Sequence, residues 1–224
     1  MKQHTDLAIV LTRIDYAEHD RILTLLCAEK GRVSVLAKAA RSQKSRLAGG
    51  IELLSESEVC FIEGRSKLMT LTSARLRVHF GELVKNMRRM QLAFAHIKII
   101  NSIVDEAAGQ EYYPFLLESL RSLNDPTYDA RIVDMWFSLQ VLQISGTAPN
   151  LRLEAASDAT NFEFDHDHQR FQPADTGLFT QNDLKVLRLC MAQQRPPRLQ
   201  NQLGSEDRLQ QLTQTLVKTN LTEL

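Results

Sequence analysis

The apolar residues of this 224-residue chain change their spacing once. Up to Phe80 they alternate with a period of two, and after Gly81 they recur about every 3.6 residues. Alternation is the signature of a strand and the longer period that of a helix, so the switch predicts two different architectures in series. The boundary falls between Phe80 and Leu83, giving a strand-built domain over residues 1–80 and a helical domain over 81–224. Between Asp6 and Ile14, Leu7, Ile9 and Leu11 alternate with Ala8, Val10 and Thr12, and both faces are apolar enough to be buried. After a polar break, Asp15–Asp20, comes Arg21–Ala28. Its Ile22, Leu25 and Leu26 also fit a helix face, but its short length and the Glu29-Lys30-Gly31 turn into another β-branched run favour a strand. That run, Arg32–Ala37, puts Val33, Val35 and Ala37 on one face. Glu52–Ile62 and Leu68–Leu76 flank a hairpin centred on Gly64. Five short strands in under eighty residues fit a small closed barrel, so the expected class is α+β, a five-stranded barrel followed by helices.

In the helical part, Met87, Met90, Phe94, Ile97, Ile100 and Val104 are expected on one stripe of a long helix. Tyr113–Leu123 is a second helix, ending before the Asn124-Asp125-Pro126 turn. Ala130–Ser145 is apolar on nearly all sides, as in the buried centre of a bundle, with Gly146 as its C-terminal stop. Residues 150–177 are polar and aperiodic and are read as irregular. Thr180 with Asp183 forms a capping box for a helix through Met191, Arg195-Pro196-Pro197-Arg198 breaks it, and Ser205 opens a last helix with Leu209, Leu212 and Leu216 on one face.

Charge is distributed unevenly. The net charge is zero, but residues 1–81 hold 13 Lys+Arg against 9 Asp+Glu, and the remainder holds 14 against 18. No acidic residue occurs from Lys30 to Ile51, whereas Lys30, Arg32, Lys38, Arg41, Lys44 and Arg46 do. The segment Lys38–Gly50 spaces its cations with small residues and Ser, a composition expected of a mobile cationic loop. Lys and Arg two or three apart along an extended chain can neutralise successive phosphates. Cys27, Cys60 and Cys190 are isolated in apolar surroundings and read as buried thiols of a reducing compartment. No apolar run has the length of a membrane span, and the first residues lack the apolar core of a signal peptide, so a cytoplasmic protein without a membrane partner is expected.

Asp165-His166-Asp167-His168 has metal-ligand residue types but no second pair of Cys or His nearby, and is read as a polar loop or hairpin. The chain has no nucleophile elbow, no P-loop and no dinucleotide fingerprint, so no enzymatic activity, cofactor or metal is expected.

Three segments together are similar to a known family. Asp15-Tyr16-Ala17-Glu18-His19-Asp20-Arg21-Ile22-Leu23-Thr24-Leu25-Leu26 follows the pattern D-Y-x-E-x-D-R-x-L-T-L-L. Gly31 to Ala37-Lys38-Ala39-Ala40-Arg41 follows G-x-x-x-x-x-A-K-G-A-R, and Ser45-Arg46-Leu47-Ala48-Gly49-Gly50 follows S-R-L-x-G-G. Gly64-Arg65-Ser66-Lys67-Leu68-Met69-Thr70-Leu71-Thr72-Ser73-Ala74 and the later Phe137–Gly146 segment extend the likeness over most of the chain. The sequence resembles the bacterial DNA repair and recombination mediator family RecO. Ala39 replaces a Gly of the pattern, Ser138 replaces a Glu, and the four-cysteine zinc site of many members has no counterpart, since residues 150–177 contain no cysteine.

The resemblance implies an N-terminal OB-fold and a helical C-terminal domain. It also implies binding of single- and double-stranded DNA, annealing of complementary strands, and loading of the recombinase RecA, with the partner RecR, onto strands coated by single-strand-binding protein. Such a protein would be nucleoid-associated. The residues expected to meet phosphates are Lys38, Arg41, Lys44 and Arg46, with Arg21, Arg32, Arg65 and Lys67 behind them. The strand-built part has only Tyr16, Phe61 and Phe80 as aromatics, which predicts binding dominated by the nucleic-acid backbone. The acidic C-terminal tail of single-strand-binding protein would need a local basic and apolar pocket in the helical domain, for which Arg121 and Arg131, near Tyr112, Tyr113 and Phe115, are candidates. An OB-type RNA- or ribosome-associated protein without annealing activity, or an interaction scaffold whose loop meets an acidic protein, fits the charge pattern as well.

Overall fold

A computed structural model describes residues 2–64, 68–152, 159–199 and 204–221. Five strands form the N-terminal part: β1 (Gln3–Tyr16), β2 (Asp20–Cys27), β3 (Gly31–Ala37), β4 (Ser55–Ile62) and β5 (Met69–His79). They close into a barrel in the order β1-β2-β3-β5-β4, with β4 returning antiparallel to β1 and β3 meeting β5 in parallel at Val35–Met69 and Leu36–Thr70. Alternation decides which side chains enter. Leu23, Leu25 and Cys27 of β2 and Val33, Val35 and Ala37 of β3 fill the interior with Ala8, Val10, Val59, Phe61 and Leu71. Phe61 and Phe80 are 0% and 1% exposed, so Tyr16 is the barrel aromatic left at the surface.

The strand expected from Glu52 begins at Ser55. Leu54 takes a φ of +56°, and the Ser55 hydroxyl donates to the Glu52 carbonyl at 2.6 Å, so residues 52–54 turn before pairing starts. At the other edge, β5 runs to His79, three residues beyond the alternation.

Among the described residues five α-helices follow: α1 (Met87–Ile103), α2 (Tyr113–Asn124), α3 (Ala130–Ile144), α4 (Gln181–Ala192) and α5 (Glu206–Leu221). The expected stripe on α1 is displaced. Its buried residues are Leu92, Ala93, His96, Ile97 and Ile100, whereas Met87 and Phe94 are 65% and 39% exposed. At about 100° per residue, Met87 and Phe94 lie roughly 130° or more from the centre of that face. The position a count of apolar residues passes over is His96, whose Nδ1 lies 2.5 Å from the Ser119 hydroxyl of α2.

Helix α3 is buried continuously from Ile132 to Leu142. Its polar groups are satisfied from neighbouring elements. Trp136 donates to the Gln193 carbonyl at 2.9 Å, Gln140 to the Cys190 carbonyl at 2.8 Å, and Asp134 accepts from Gln210 and Gln214 at 2.6 and 2.7 Å. Gly146, at φ +74°, ends the helix. Its N–H bonds to Gln143 and that of Thr147 to Leu142, the pair of reversed bonds that satisfies the last carbonyls. The Thr180–Asp183 capping box is formed, and Ser205, just before α5, donates its hydroxyl to Asp183.

The C-terminal part is not helical throughout. The stretch read as irregular holds β6 (Asn161–Asp165) and β7 (Arg170–Pro173), and β6 pairs with β7 and, just beyond that stretch, with β8 (Phe179–Thr180) in a three-stranded antiparallel sheet. Phe162, Phe164, Phe171 and Phe179 bury its apolar face, an alternation too short to stand out in the sequence. No helix among the described residues is long and apolar enough to cross a membrane.

The change of period and the division into compact units fall at different places. Strands give way to helices after residue 80, but the compact units are Met1–Asn124 and Asp125–Leu224, so α1 and α2 belong with the barrel. Glu56, 5% exposed on β4, accepts from the Tyr113 hydroxyl at 2.7 Å and from Arg121 at 3.3 Å, both on α2.

Candidate nucleic-acid interface

The cationic segment leaves the barrel at Ala37, the end of β3. That end also carries the end of β1 and the start of β2, because Asp15 pairs with Arg21 and Arg21 with Ala37. The segment is not a free loop. Residues 38–47 run through consecutive turns in which Ser42 N–H bonds to the Ala39 carbonyl and Ser45 N–H to that of Ser42, and a 3-10 turn follows over Ala48–Gly50. Ala40, Leu47 and Ile51 sink into the barrel core, 2%, 9% and 0% exposed, so small and apolar residues between the cations serve as anchors. Gly50 packs so closely on β5 that a Cβ there would lie 2.4 Å from the Ala74 carbonyl oxygen.

The β1–β2 turn holds the start of the segment. The Asp20 carboxylate accepts from the Ala39 N–H at 2.7 Å, and the Arg41 N–H bonds to the His19 carbonyl at 2.9 Å. Ala39 stands at φ +50°, a left-handed conformation in which glycine is the relaxed residue. Lys38, Arg41, Lys44 and Arg46 are all exposed. Arg21 and Arg41 converge on one carboxylate: Arg21 Nε lies 3.0 Å from Asp15 Oδ1, and Arg41 Nε lies 3.5 Å from Oδ2. The Arg21 hydrogen bond, assisted by the Arg41 charge, lowers the Asp15 pKa below the ordinary carboxylate value.

The other expected cations separate from this group. Arg32 is the second residue of β3, six residues and ~20 Å of extended chain before Lys38. Its backbone bonds to the 105–108 turn, N–H to the Ala108 carbonyl and carbonyl to the Ala107 N–H, both at 2.8 Å, and its Nε is buried without a hydrogen-bond partner. Arg65 and Lys67 lie outside the described residues. The residues missed by sequence reading are Asp15 and Asp20. Their signal was the D-Y-x-E-x-D-R motif itself, whose two aspartates bracket the turn that the cationic segment leans on.

Arg121 and Arg131 are not open basic sites. Arg121 pairs with Glu56, and Arg131 lies 2.6 Å from Asp129 and 3.5 Å from Asp207, which with nearby Glu206 raises its pKa. They belong to different compact units, and Tyr112 and Tyr113 are 8% and 6% exposed. The Asp165–His168 stretch is the β6–β7 hairpin turn. Asp165 accepts from the backbone N–H of Asp167 and His168, and its other oxygen lies 2.9 Å from His168 Nδ1, so the carboxylate is committed to closing the turn.

A closed five-stranded barrel of OB type, with a cationic segment at one end and helices after it, defines the class as an α+β protein built on an OB-fold. Comparison with known families narrows the class. The family described as Recombination protein O N terminal matches residues 1–80, and Recombination protein O C terminal matches residues 86–219. The chain belongs to the RecO family. It is 30% identical over 150 residues to a protein of Desulfatibacillum aliphaticivorans named DNA repair protein RecO, covering 66% of this chain and 58% of that protein. It is 31% identical over 153 residues to the protein of that name from Heliobacterium modesticaldum, covering 68% and 55%. The match thus spans a little over half the length of these relatives.

Proposed function

We propose that the chain acts in DNA repair and recombination as a mediator rather than an enzyme. In this reading it binds single- and double-stranded DNA on the end of its barrel, anneals complementary strands, and with RecR helps load RecA onto strands coated by single-strand-binding protein. The domain that carries the DNA is residues 1–80, and the protein acts in the cytoplasm, at the nucleoid. Family membership supports the role. One structural observation carries the site: four exposed cations, Lys38, Arg41, Lys44 and Arg46, stand on a turn-built segment fixed to the core by Ala40, Leu47 and Ile51. An anchored row of cations is pre-organised, so binding a phosphate chain costs less ordering than it would on a free loop. Arg21 shares Asp15 with Arg41 and extends the row; Arg32, Arg65 and Lys67 are a second tier of phosphate contacts in this reading, with Arg32 apart from the row.

Contacts to phosphates position a strand without reading it and leave most bases free to pair, as annealing requires. For the acidic tail of single-strand-binding protein, a fitting place is an open groove of about 440 Å³ in the C-terminal unit. Pro149, Leu151 and Met191 line it beside Arg152 and Arg188, so it offers an apolar floor with positive charge.

The test is a salt titration of the full chain and of the variant with Lys38, Arg41, Lys44 and Arg46 all replaced by Ala. If each cation meets one phosphate, the log–log salt slope for single strands falls by roughly 0.7 × 4, about 3 units, and duplex binding weakens in parallel. An unchanged slope on folded protein removes this site. Running single-stranded RNA beside DNA tests the RNA reading, and retained DNA affinity with loss of an acidic protein partner would favour the scaffold.

A further inference from the structure

We propose that the outer sheet face beside the cationic segment, formed by Ile14, Tyr16, Ile22 and Leu36, is a seat for one or two unpaired bases of the strand whose phosphates lie on Lys38 and Arg41. This rests on the DNA-binding reading and adds a second kind of contact to it.

Register places these side chains together. Leu23, Val35 and Ala37 point into the barrel, so Ile22 and Leu36 point out. An irregularity in β1 between Val10 and Thr12 brings Thr12 opposite Thr24 and Ile14 opposite Ile22, which is itself opposite Leu36. Ile14, Ile22 and Leu36 therefore form an apolar row across three strands, ~10 Å wide. Tyr16 stands two residues beyond Ile14 on the same face.

The face is covered at one end only. Farther back along the same strands, Ile9 pairs with Leu26, and both are fully buried. At the loop end Ile14 is 60% and Tyr16 51% exposed, with Ile22 and Leu36 half-buried. Charge then says what this bare patch fits. Lys38 follows two residues after Leu36, and Arg41 is bonded to the turn just beyond Tyr16 through the Glu18 and His19 carbonyls. An apolar surface with Lys38 and Arg41 along one border, and Asp15 and Glu18 on the β1–β2 side, suits a base whose own phosphates run along the cations, and stacking of this kind tolerates any sequence. A duplex keeps its bases stacked inside and gains nothing from the patch. The seat thus distinguishes single strands from duplex, which the cationic segment alone does not.

The experiment compares the full chain with a Tyr16→Ala/Ile14→Thr double variant in binding oligothymidylate and a duplex of equal length, each across a salt series. Loss of one stacked base lowers single-strand affinity by about tenfold, leaves the salt slope unchanged and spares the duplex. Both side chains are exposed, so the fold should survive; circular dichroism checks it. As a second readout, the indole of a Tyr16→Trp variant should be quenched by oligothymidylate and not by duplex. Unchanged single-strand affinity, equal losses for strand and duplex, or absence of quenching overturns the seat while leaving the phosphate site standing. Capture of an acidic apolar peptide on this patch, with single-strand binding intact in the double variant, would reassign it to a protein. Failure of the unaltered chain to bind either nucleic acid overturns the underlying reading as well.

Discussion

Ala39 and Asp15 are the two residues at which the candidate site works against itself. Ala39 occupies a left-handed φ of +50°, with its N–H donating to Asp20, where the family pattern has glycine. An L-residue pays roughly 1 kcal/mol or more for that conformation, and glycine does not. We therefore expect Ala39→Gly to stabilise the chain by about 0.5–1 kcal/mol, net of the extra freedom glycine has when unfolded, read as a higher urea midpoint with an unchanged slope. A lower midpoint would mean that the turn is not strained. Asp15 offsets the charge of Arg21 and Arg41 where phosphates would sit. Because its pKa is lowered from 3.8, the bridge is complete at neutral pH and its contribution is lost only as the pH falls below that value. Asp15→Asn should tighten binding of single strands and duplex, with the gain shrinking as salt rises. If affinity falls instead, Asp15 serves chiefly to aim the two guanidinium groups.

At the scale of elements, the five barrel strands, α2, α3 and the N-terminal capping box of α4 were legible because each rests on local rules: alternation, an unbroken apolar run, a Thr–Asp box. The Lys38–Gly50 segment was legible as cationic but not as anchored. Ala40, Leu47 and Ile51 look like filler in a charged sequence, and only the fold shows that the barrel has room for them. The α1 stripe held at Ile97 and Ile100 but missed part of the buried face, since that face includes a histidine satisfied by Ser119, a residue 23 positions away. The Tyr113–Glu56–Arg121 group was equally invisible, being formed between β4 and α2. Burial, and then the hydrogen bond to Glu56, raises the Tyr113 pKa above its ordinary 10 and keeps the phenol a donor. Tyr113→Phe leaves a nearly buried carboxylate with a single long bond to Arg121, and should cost about 1–3 kcal/mol in a urea titration. Adding Glu56→Leu should recover much of the loss, because replacing both partners removes the unsatisfied group. No recovery would mean that the pair matters through packing.

At the scale of the whole molecule, the change of sequence period and the compact unit make different forecasts about where the chain can be cut. A fragment of residues 1–80 holds all five strands and every described cation of the candidate site. It lacks, however, the Ala107 and Ala108 backbone groups that bond Arg32, and the Tyr113 and Arg121 groups on Glu56. Gly31 is close enough to residue 108 that an added Cβ would lie 2.1 Å from the Ala108 oxygen, so the 105–108 turn seats directly on the start of β3. Ile9 and Leu26 lie outside the barrel interior yet are fully buried, and α1 packs against β1, so its removal is expected to bare them. A barrel this small has little stability to spare, since short chains bury a smaller share of their surface. Residues 1–124 keep all of these contacts. We expect that fragment to unfold cooperatively and to bind single strands with the salt slope of the full chain. The 1–80 fragment should show a lower midpoint or a broad transition, with weak residual binding. Equal midpoints for the two would mean that α1 and α2 lend the barrel nothing. A well-folded 1–124 fragment that binds no DNA would take the nucleic-acid site away from the barrel altogether.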